Sequence, residues 1–284
     1  MPRLLNHCAA LAVLALLALL PPAAPAAAQG KVDARYTASL AGVPVGKGGW
    51  VIEIGDDQYK SATSGVTTGL LRVFASGEGS GIARGYVSNG TLIPSAYAAS
   101  ITADKKTEEM RMTIVGGVIK DLSVEPPLPP HPERIVVTDA HRKGITDPLT
   151  ASLMRVPGTG NPVSPEACNN RTTAIFDGRM RYDLTVAYKR MEEVKSDKGY
   201  AGPAVVCAVY FNPVAGYIPG RATIKYLTAQ RDMEVVLVPI AGTRILAPFR
   251  VAIPTPLGTA ALQATQFITA AQPPRPTPTS LKGQ

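Results

Sequence analysis

Residues 81–101, "GIARGYVSNGTLIPSAYAASI", place Asn89-Gly90 between two runs in which apolar and polar residues alternate. Strict alternation is typical of a strand with one buried face. Asn-Gly is the favoured pair for a type I′ hairpin turn, because both residues tolerate positive φ. This stretch therefore predicts a β-hairpin.

The same device recurs along the chain. Gly55-Asp56-Asp57, Gly116-Gly117 and Asp177-Gly178 each separate runs with period-two alternation, and residues 221–240 and 247–269 supply the last predicted strands. Recurrent strands with turn signals are typical of sandwiches and barrels. The sequence predicts an all-β protein whose curved antiparallel sheets form a half-open barrel, a spiral or a sandwich.

One short helix is predicted near residues 147–155. Asp147 is a suitable N-cap and Pro148 suits the first helical position. Leu149, Leu153 and Met154 then fall on one helical face.

The first 28 residues predict a secretory signal peptide. Arg3 supplies a positive start, residues 9–20 form an apolar core, and residues 26–28 are the small alanines that a signal peptidase cleaves after. The apolar core is too short to span a bilayer, which needs about 20 helical residues. We expect a periplasmic protein that does not span the membrane.

The mature chain is expected to form a single β-rich domain over residues 29–270. An N-terminal half (29–125) and a C-terminal half (166–270) flank a proline-rich crossover, residues 126–165, which carries the short helix. Residues 271–284 form a proline-rich tail with little to bury, and we predict that this tail is disordered.

Two cysteines remain in the mature chain, Cys168 and Cys207. An even count in an exported protein predicts a disulfide between them. Two free buried thiols and a catalytic thiol are the alternatives. A zinc site would need four closely spaced ligands, and the two remaining histidines, His131 and His141, are not closely paired. No metal and no cofactor is predicted.

No set of residues predicts catalysis. The glycine-rich "GEGSGIARG", residues 77–85, lacks the strand-to-helix context of a phosphate-binding loop and is predicted to be a turn that joins two strands. His141 lies near Asp139 in a polar loop, but a catalytic triad also needs a converging serine. The acidic pair Glu192-Glu193 looks like a solvated strand end, since neighbours on a strand point to opposite faces.

Aromatic side chains concentrate in the C-terminal half. Packing in the sheet is the default interpretation for them, and a groove for an acyl chain, a glycan or a peptide is the functional one. The candidate ligand-binding residues are Tyr182, Tyr188, Tyr210 and Tyr217. The formal net charge of +8 favours anionic lipids or cell-wall polymers as partners, and a merely solvated basic face is the alternative, since the basic residues are scattered. Nucleic acid is not an expected partner outside the cytoplasm.

Several stretches resemble a known family. "FDGRMRYDL" at 176–184 and the spacing C-x-x-x-x-N-P-x-x-G from Cys207 to Gly216 are the most specific. Together with "YTASLAGVPVGKG" at 36–48, they resemble a bacterial envelope family catalogued as domain of unknown function 3108, over about residues 32–267. The resemblance implies an exported β-rich protein, and it implies no activity, substrate or catalytic residue.

These observations favour a non-enzymatic periplasmic protein of the cell envelope that holds an apolar or amphipathic ligand, such as a lipid or a peptide, in a β concavity. A structural protein that binds another envelope protein through a sheet edge or a basic surface is one alternative. An enzyme that acts on cell-wall or glycan material is the other.

Overall fold

The computed structural model describes residues 29–68 and 77–272. Most of them lie in strands that pair into one sheet. The strands are β1 (Gly30–Leu40), β2 (Val43–Ile54), β3 (Gln58–Thr67), β4 (Gly77–Ser88), β5 (Thr91–Ala103), β6 (Lys106–Val115), β7 (Val118–Glu125), β8 (Met154–Arg155), β9 (Arg171–Phe176), β10 (Arg181–Lys195), β11 (Lys198–Gly199), β12 (Ala201–Ala215), β13 (Glu234–Pro239), β14 (Ile245–Thr255) and β15 (Gly258–Ala271). The helices are α1 (Pro148–Ala151) and α2 (Ala222–Ala229).

The strand order along the sheet is β7-β6-β5-β4-β3-β2-β1-β15-β14-β13-β12-β10-β9. Every neighbouring pair in this order is antiparallel. The two-residue strands lie off this path, β8 against β14 and β11 against β15, and the second of these pairs is parallel. The predicted fold class, an all-β protein built on an open antiparallel sheet, is confirmed.

The sheet curls so that strands far apart in the order share one core. Val32 of β1 and Val206 of β12 belong to the same buried cluster, with Trp50, Ile52 and Phe267. Each fully buried Ile or Phe side chain contributes about 2 kcal/mol. We call the face that carries this cluster the inner face.

The crossover closes the gap between the two edge strands, β7 and β9. Ile145 donates its backbone N–H to the Gly117 carbonyl, just before β7, and Thr146 donates to Ala174 on β9. Phe176 donates back to the Thr146 carbonyl. These bonds occupy backbone groups that exposed edge strands otherwise offer to other chains.

The predicted helix begins where expected but ends earlier. Asp147 accepts from the backbone N–H groups of Leu149 and Thr150, as an N-cap does. α1 ends at Ala151, and Met154, predicted to be helical, lies instead in β8 opposite Leu246. Pairing with β14 therefore outweighs continuation of the helix.

Two other predictions were wrong. Residues 222–229, predicted to be strand, form α2, whose half-buried Ile224, Leu227 and Thr228 follow helical spacing. Residues 77–85, predicted to be a turn, lie within β4, which pairs along its length with β3 and β5.

The predicted signal peptide, residues 1–28, and residues 273–284 of the predicted tail lie outside the described residues. Within residues 29–68 and 77–272, the helices are too short or too polar to cross a membrane.

Candidate functional site

A groove of about 340 Å³ opens on the inner face, where β1, β2 and β3 run beyond the packed core. Its lining includes Tyr36, Ala38, Val45, Gly46, Gly48, Trp50, Thr63, Gly65, Thr67 and Leu262. Cross-strand register places these residues together, since Tyr36 lies opposite Gly48 and Gly48 lies opposite Gly65. Cross-strand partners share a face. We call this the inner groove.

Glycines give the inner groove its depth. The row formed by Gly46, Gly48 and Gly65 continues on β4 with Gly77, Gly79 and Gly81, and Gly65 lies opposite Gly79. A Cβ at Gly48 would stand 2.8 Å from the Ser64 carbonyl oxygen, so this position is restricted to glycine. A Cβ at Gly65 would make only ordinary contacts, at 3.5 Å or more, and would project into the open space.

The polar atoms next to the inner groove are used within the protein. The Tyr36 hydroxyl donates to the Pro248 carbonyl across 2.7 Å, and Trp50 Nε1 donates to Ser61 Oγ across 2.7 Å. Burial raises the pKa of Tyr36, so its hydroxyl stays protonated. The groove consequently offers mainly carbon atoms and peptide backbone to a ligand.

Helix α1 fills the interior of the barrel beneath the inner groove. Leu149 packs near Gly81 of β4, and Thr150 Oγ1 lies 2.6 Å from the hydroxyl of Tyr59 on β3. Asp147 is fully buried, and burial raises the pKa of its carboxyl group while the hydrogen bonds from Thr150 and Leu149 lower it. The interior is therefore packed below the groove rather than hollow.

A cluster of charged residues lies on the strands β10, β13 and β14. Arg190 donates to both carboxylate oxygens of Glu234, at 2.9 and 3.1 Å, and Arg250 donates to Glu192 at 2.6 Å. Arg190 and Glu192 lie opposite Val206 and Ala204, which belong to the inner core cluster. Arg190 and Lys189 lower the pKa of Glu234 to about 2. Glu192, predicted to be solvated, is thus held in an ion-pair network.

The structure does not bring the four candidate tyrosines together. Tyr182 and Tyr188 share one face of β10, with Tyr188 opposite Cys207. Tyr210 lies opposite Thr185 and so faces the other way. Tyr217 follows the end of β12, and its carbonyl accepts from Ile135. Their role in ligand binding stays a prediction, whereas the sequence interpretation missed the glycines of the inner groove.

The predicted disulfide is present. Cys168 and Cys207 are bonded, with their Cα atoms 5.6 Å apart, and both are fully buried. They belong to a second cluster, in which Val156 and Val163 of the crossover pack against Val205 of β12. The bridge thus fastens the segment just after the crossover to the face of β12 opposite the inner groove.

The two motifs that resemble the family meet beside the edge strand β9, at the gap that the crossover closes; we call this region the seam of the barrel. In the FDGR turn, Asp177 Oδ1 accepts from the backbone N–H groups of Arg179 and Met180, and Arg179 reaches Glu108 of β6 at 3.2 Å. Gly216, from the N-P-x-x-G stretch, approaches the Arg179 carbonyl so closely that a Cβ there would overlap it. Of the predicted turn pair, Gly178 adopts positive φ while Asp177 shapes the turn through its side chain. Both motifs therefore have a structural role.

His141 takes part in local structure. Its Nδ1 accepts from the Thr138 backbone N–H at 3.1 Å and closes a short 3-10 turn. In the described parts of the chain, no group of three or more His, Cys, Asp or Glu side chains is placed to hold a metal ion.

On the opposite face of the sheet lies a depression of about 530 Å³. Its lining includes Ala96, Ala98, Arg84 and Arg111. Arg111 is paired with Glu109 at 2.9 Å, and both arginines are exposed to solvent. Since the charges here are solvated, this depression is a weaker candidate than the apolar inner groove.

Comparison with known proteins gives a family and a distant structural likeness. Curated proteins yield no match. Among solved structures, the crystal structure of a beta-barrel-like protein of domain of unknown function DUF1849 from Brucella abortus is similar, with 10% identity and a TM-score of 0.44. The likeness covers 88% of this chain and 100% of that chain. The family model described as "Protein of unknown function (DUF3108)" matches residues 35–265, which is most of the chain, and this protein therefore belongs to the DUF3108 family.

Proposed function

We propose that this protein is exported to the periplasm and holds an apolar or amphipathic chain in the inner groove, without performing chemistry on it. The observation that carries this proposal is the apolar, glycine-floored opening beside the packed core. Exposed concave apolar surface of this kind typically marks a ligand site.

The shape of the groove favours a slender chain over a compact ring system. Its floor runs across the extended strands β1 to β3, where glycine lets a ligand approach the backbone. Leu262 at its margin is 36% exposed, so it offers apolar contact to a ligand. Covering apolar surface yields about 25 cal/mol per Å².

Two further observations support an exported location. The first 28 residues carry the pattern of a signal peptide. The Cys168–Cys207 disulfide is buried, as structural disulfides of oxidising compartments are.

Trp50 makes the proposal directly testable, because it is the only tryptophan in the sequence and lines the groove. Titrating the purified protein with a dibrominated stearic acid is expected to quench Trp50 fluorescence, since bromine quenches on contact. Unbrominated stearic acid should compete and restore the signal.

A matched pair of variants localises the binding. Gly65→Leu places a side chain in the groove without a backbone clash and should weaken binding at least about tenfold, or about 1.4 kcal/mol. Ala62→Leu adds bulk on the same strand, but Ala62 is outside the groove lining and shares the opposite face with its exposed partner Val51, so binding should be unchanged. Absence of quenching in a folded protein, or equal loss in both variants, would contradict the proposal.

A further inference from the structure

The inner groove opens at one end of the barrel, and the hairpin turns at that end carry unusually exposed apolar side chains. We call this end the mouth; among the described residues it includes the connections β1–β2, β5–β6, β9–β10, β12–β13 and β14–β15. Leu257 in the β14–β15 turn is 76% exposed, and Val43 beside the β1–β2 turn is 62% exposed.

These two turns form a single structural unit. The Ala41 backbone N–H donates to the Thr259 carbonyl at 2.9 Å, and Gly258 lies against Ala41. Val43 and Leu257 are therefore held side by side on paired hairpins rather than on independent loops. β2, which begins at Val43, and β15, which follows the Leu257 turn, contribute Val45 and Leu262 to the inner groove, so the tips and the groove are continuous.

A third exposed residue lies across the mouth. Val136 in the crossover is 71% exposed. The preceding residue, Ile135, exchanges backbone hydrogen bonds with Gly216 and Tyr217, which follow the end of β12 at the mouth. Of the large apolar side chains that the structure describes as exposed, Leu257, Val136 and Val43 have the largest exposed fractions. All three stand around one opening.

The described connections of the mouth expose more basic than acidic side chains. Four basic side chains are exposed there, Lys105, Arg221, Lys225 and Arg231. Two acidic side chains of the same connections are exposed, Asp104 and Asp232. The mouth therefore suits an anionic partner.

We propose that the mouth docks on an anionic phospholipid surface, with Val43, Leu257 and Val136 entering the interface while the basic side chains face the headgroups. Apolar tips combined with basic residues bind membranes in this way, and each Lys or Arg near an anionic bilayer contributes about 1 kcal/mol. This inference rests on the proposed function, since docking places the groove where an apolar chain passes between protein and bilayer without crossing water.

Vesicle co-sedimentation tests the docking. The full mature protein is expected to bind vesicles of phosphatidylethanolamine and phosphatidylglycerol, to bind phosphatidylcholine vesicles less, and to lose affinity as salt screens the charges. The double variant Val43→Asp with Leu257→Asp should lower the partition coefficient at least about tenfold. The matched control is Val115→Asp, since Val115 is 57% exposed but lies beside the Gly116-Gly117 turn at the other end.

Outcomes for docking and for the groove are separable. Fluorescence quenching of Trp50 by dissolved brominated stearic acid should be the same in the double variant and the wild type, which shows that the variant is folded and its groove intact. Wild-type protein that fails to bind either vesicle, or binding that the double variant and Val115→Asp reduce equally, would overturn the docking proposal while quenching still upholds the groove. Vesicle binding without quenching would uphold the docking and overturn the groove.

Discussion

The hydroxyl of Tyr59 on β3 lies 2.6 Å from Thr150 Oγ1 on α1, and Thr150 in turn donates to Asp147 Oδ2 at 2.6 Å. Because Thr150 donates its single hydroxyl proton to Asp147, Tyr59 must donate to Thr150. This chain of hydrogen bonds ties the helix beneath the inner groove to the sheet that forms its floor.

The chain of hydrogen bonds predicts unequal effects of two substitutions. Tyr59→Phe removes one hydrogen bond and should cost about 1 kcal/mol of unfolding free energy. Thr150→Val leaves both the Tyr59 hydroxyl and a buried Asp147 oxygen without a hydrogen-bond partner, and it should cost about 3 kcal/mol of unfolding free energy. Urea unfolding of both variants measures the two costs. Equal costs would show that the three groups do not act as a chain.

The disulfide should make a large contribution to the free energy of unfolding. Cys168 and Cys207 are 39 residues apart, and the chain-entropy model gives about 4 kcal/mol for a loop of that length. The double variant Cys168→Ala with Cys207→Ala should lose most of this. Wild-type protein in reductant should unfold at the same urea concentration as the variant, and the variant should not respond to reductant. A variant as stable as the oxidised protein would show that the link contributes little.

Local features of the fold could be predicted from the sequence because they depend on neighbouring residues. Asn89-Gly90 and Gly116-Gly117 adopt the positive φ values that their hairpin turns need. Asp147 caps α1 as its position indicates. The cysteine pairing followed from there being only two cysteines after the predicted leader.

The inner groove could not be predicted in the same way. Gly77, Gly79 and Gly81 do alternate along β4, but hydrophobic periodicity is read from side chains, which glycine lacks. The period-two spacing of glycines was the available signal, and a turn was predicted instead. Glu192 and Glu234 are far apart in the sequence, and only the sheet topology shows that one guanidinium, that of Arg190, bonds both.

The seam of the barrel predicts a strict requirement at Gly216. Its φ is +85°, and a Cβ would overlap the Arg179 carbonyl oxygen. Gly216→Ala should therefore cost more than the roughly 1 kcal/mol that a left-handed backbone alone imposes on a residue with a side chain. Gly116→Ala is the matched control, since Gly116 has φ +58° and a Cβ there would meet no atom within 4 Å. Thermal unfolding of the two variants compares them, and equal losses would show that the seam contact is not tight.

The ion-pair network around Glu234 predicts a specific acid sensitivity. Arg190 and Lys189 lower the pKa of Glu234 from 4.5 to about 2. A carboxyl group whose pKa is lower in the folded state stabilises the fold fully above its unfolded pKa, and that stabilisation is lost as the pH falls from about 4.5 towards 2. Asp147 acts in the opposite sense, because burial raises its pKa.

Comparing Glu234→Gln with the wild type isolates the network, since Asp147 is common to both proteins. At neutral pH the variant should be about 2 kcal/mol less stable, because it loses charge-assisted hydrogen bonds to Arg190. The difference should shrink as the pH falls below 4.5, where the wild type also loses its carboxylate. Glu193→Gln, at an exposed site on the other face of β10, should show no such convergence. Urea unfolding across the acid range measures both differences, and a constant gap between Glu234→Gln and the wild type would mean that the network does not hold Glu234 ionised.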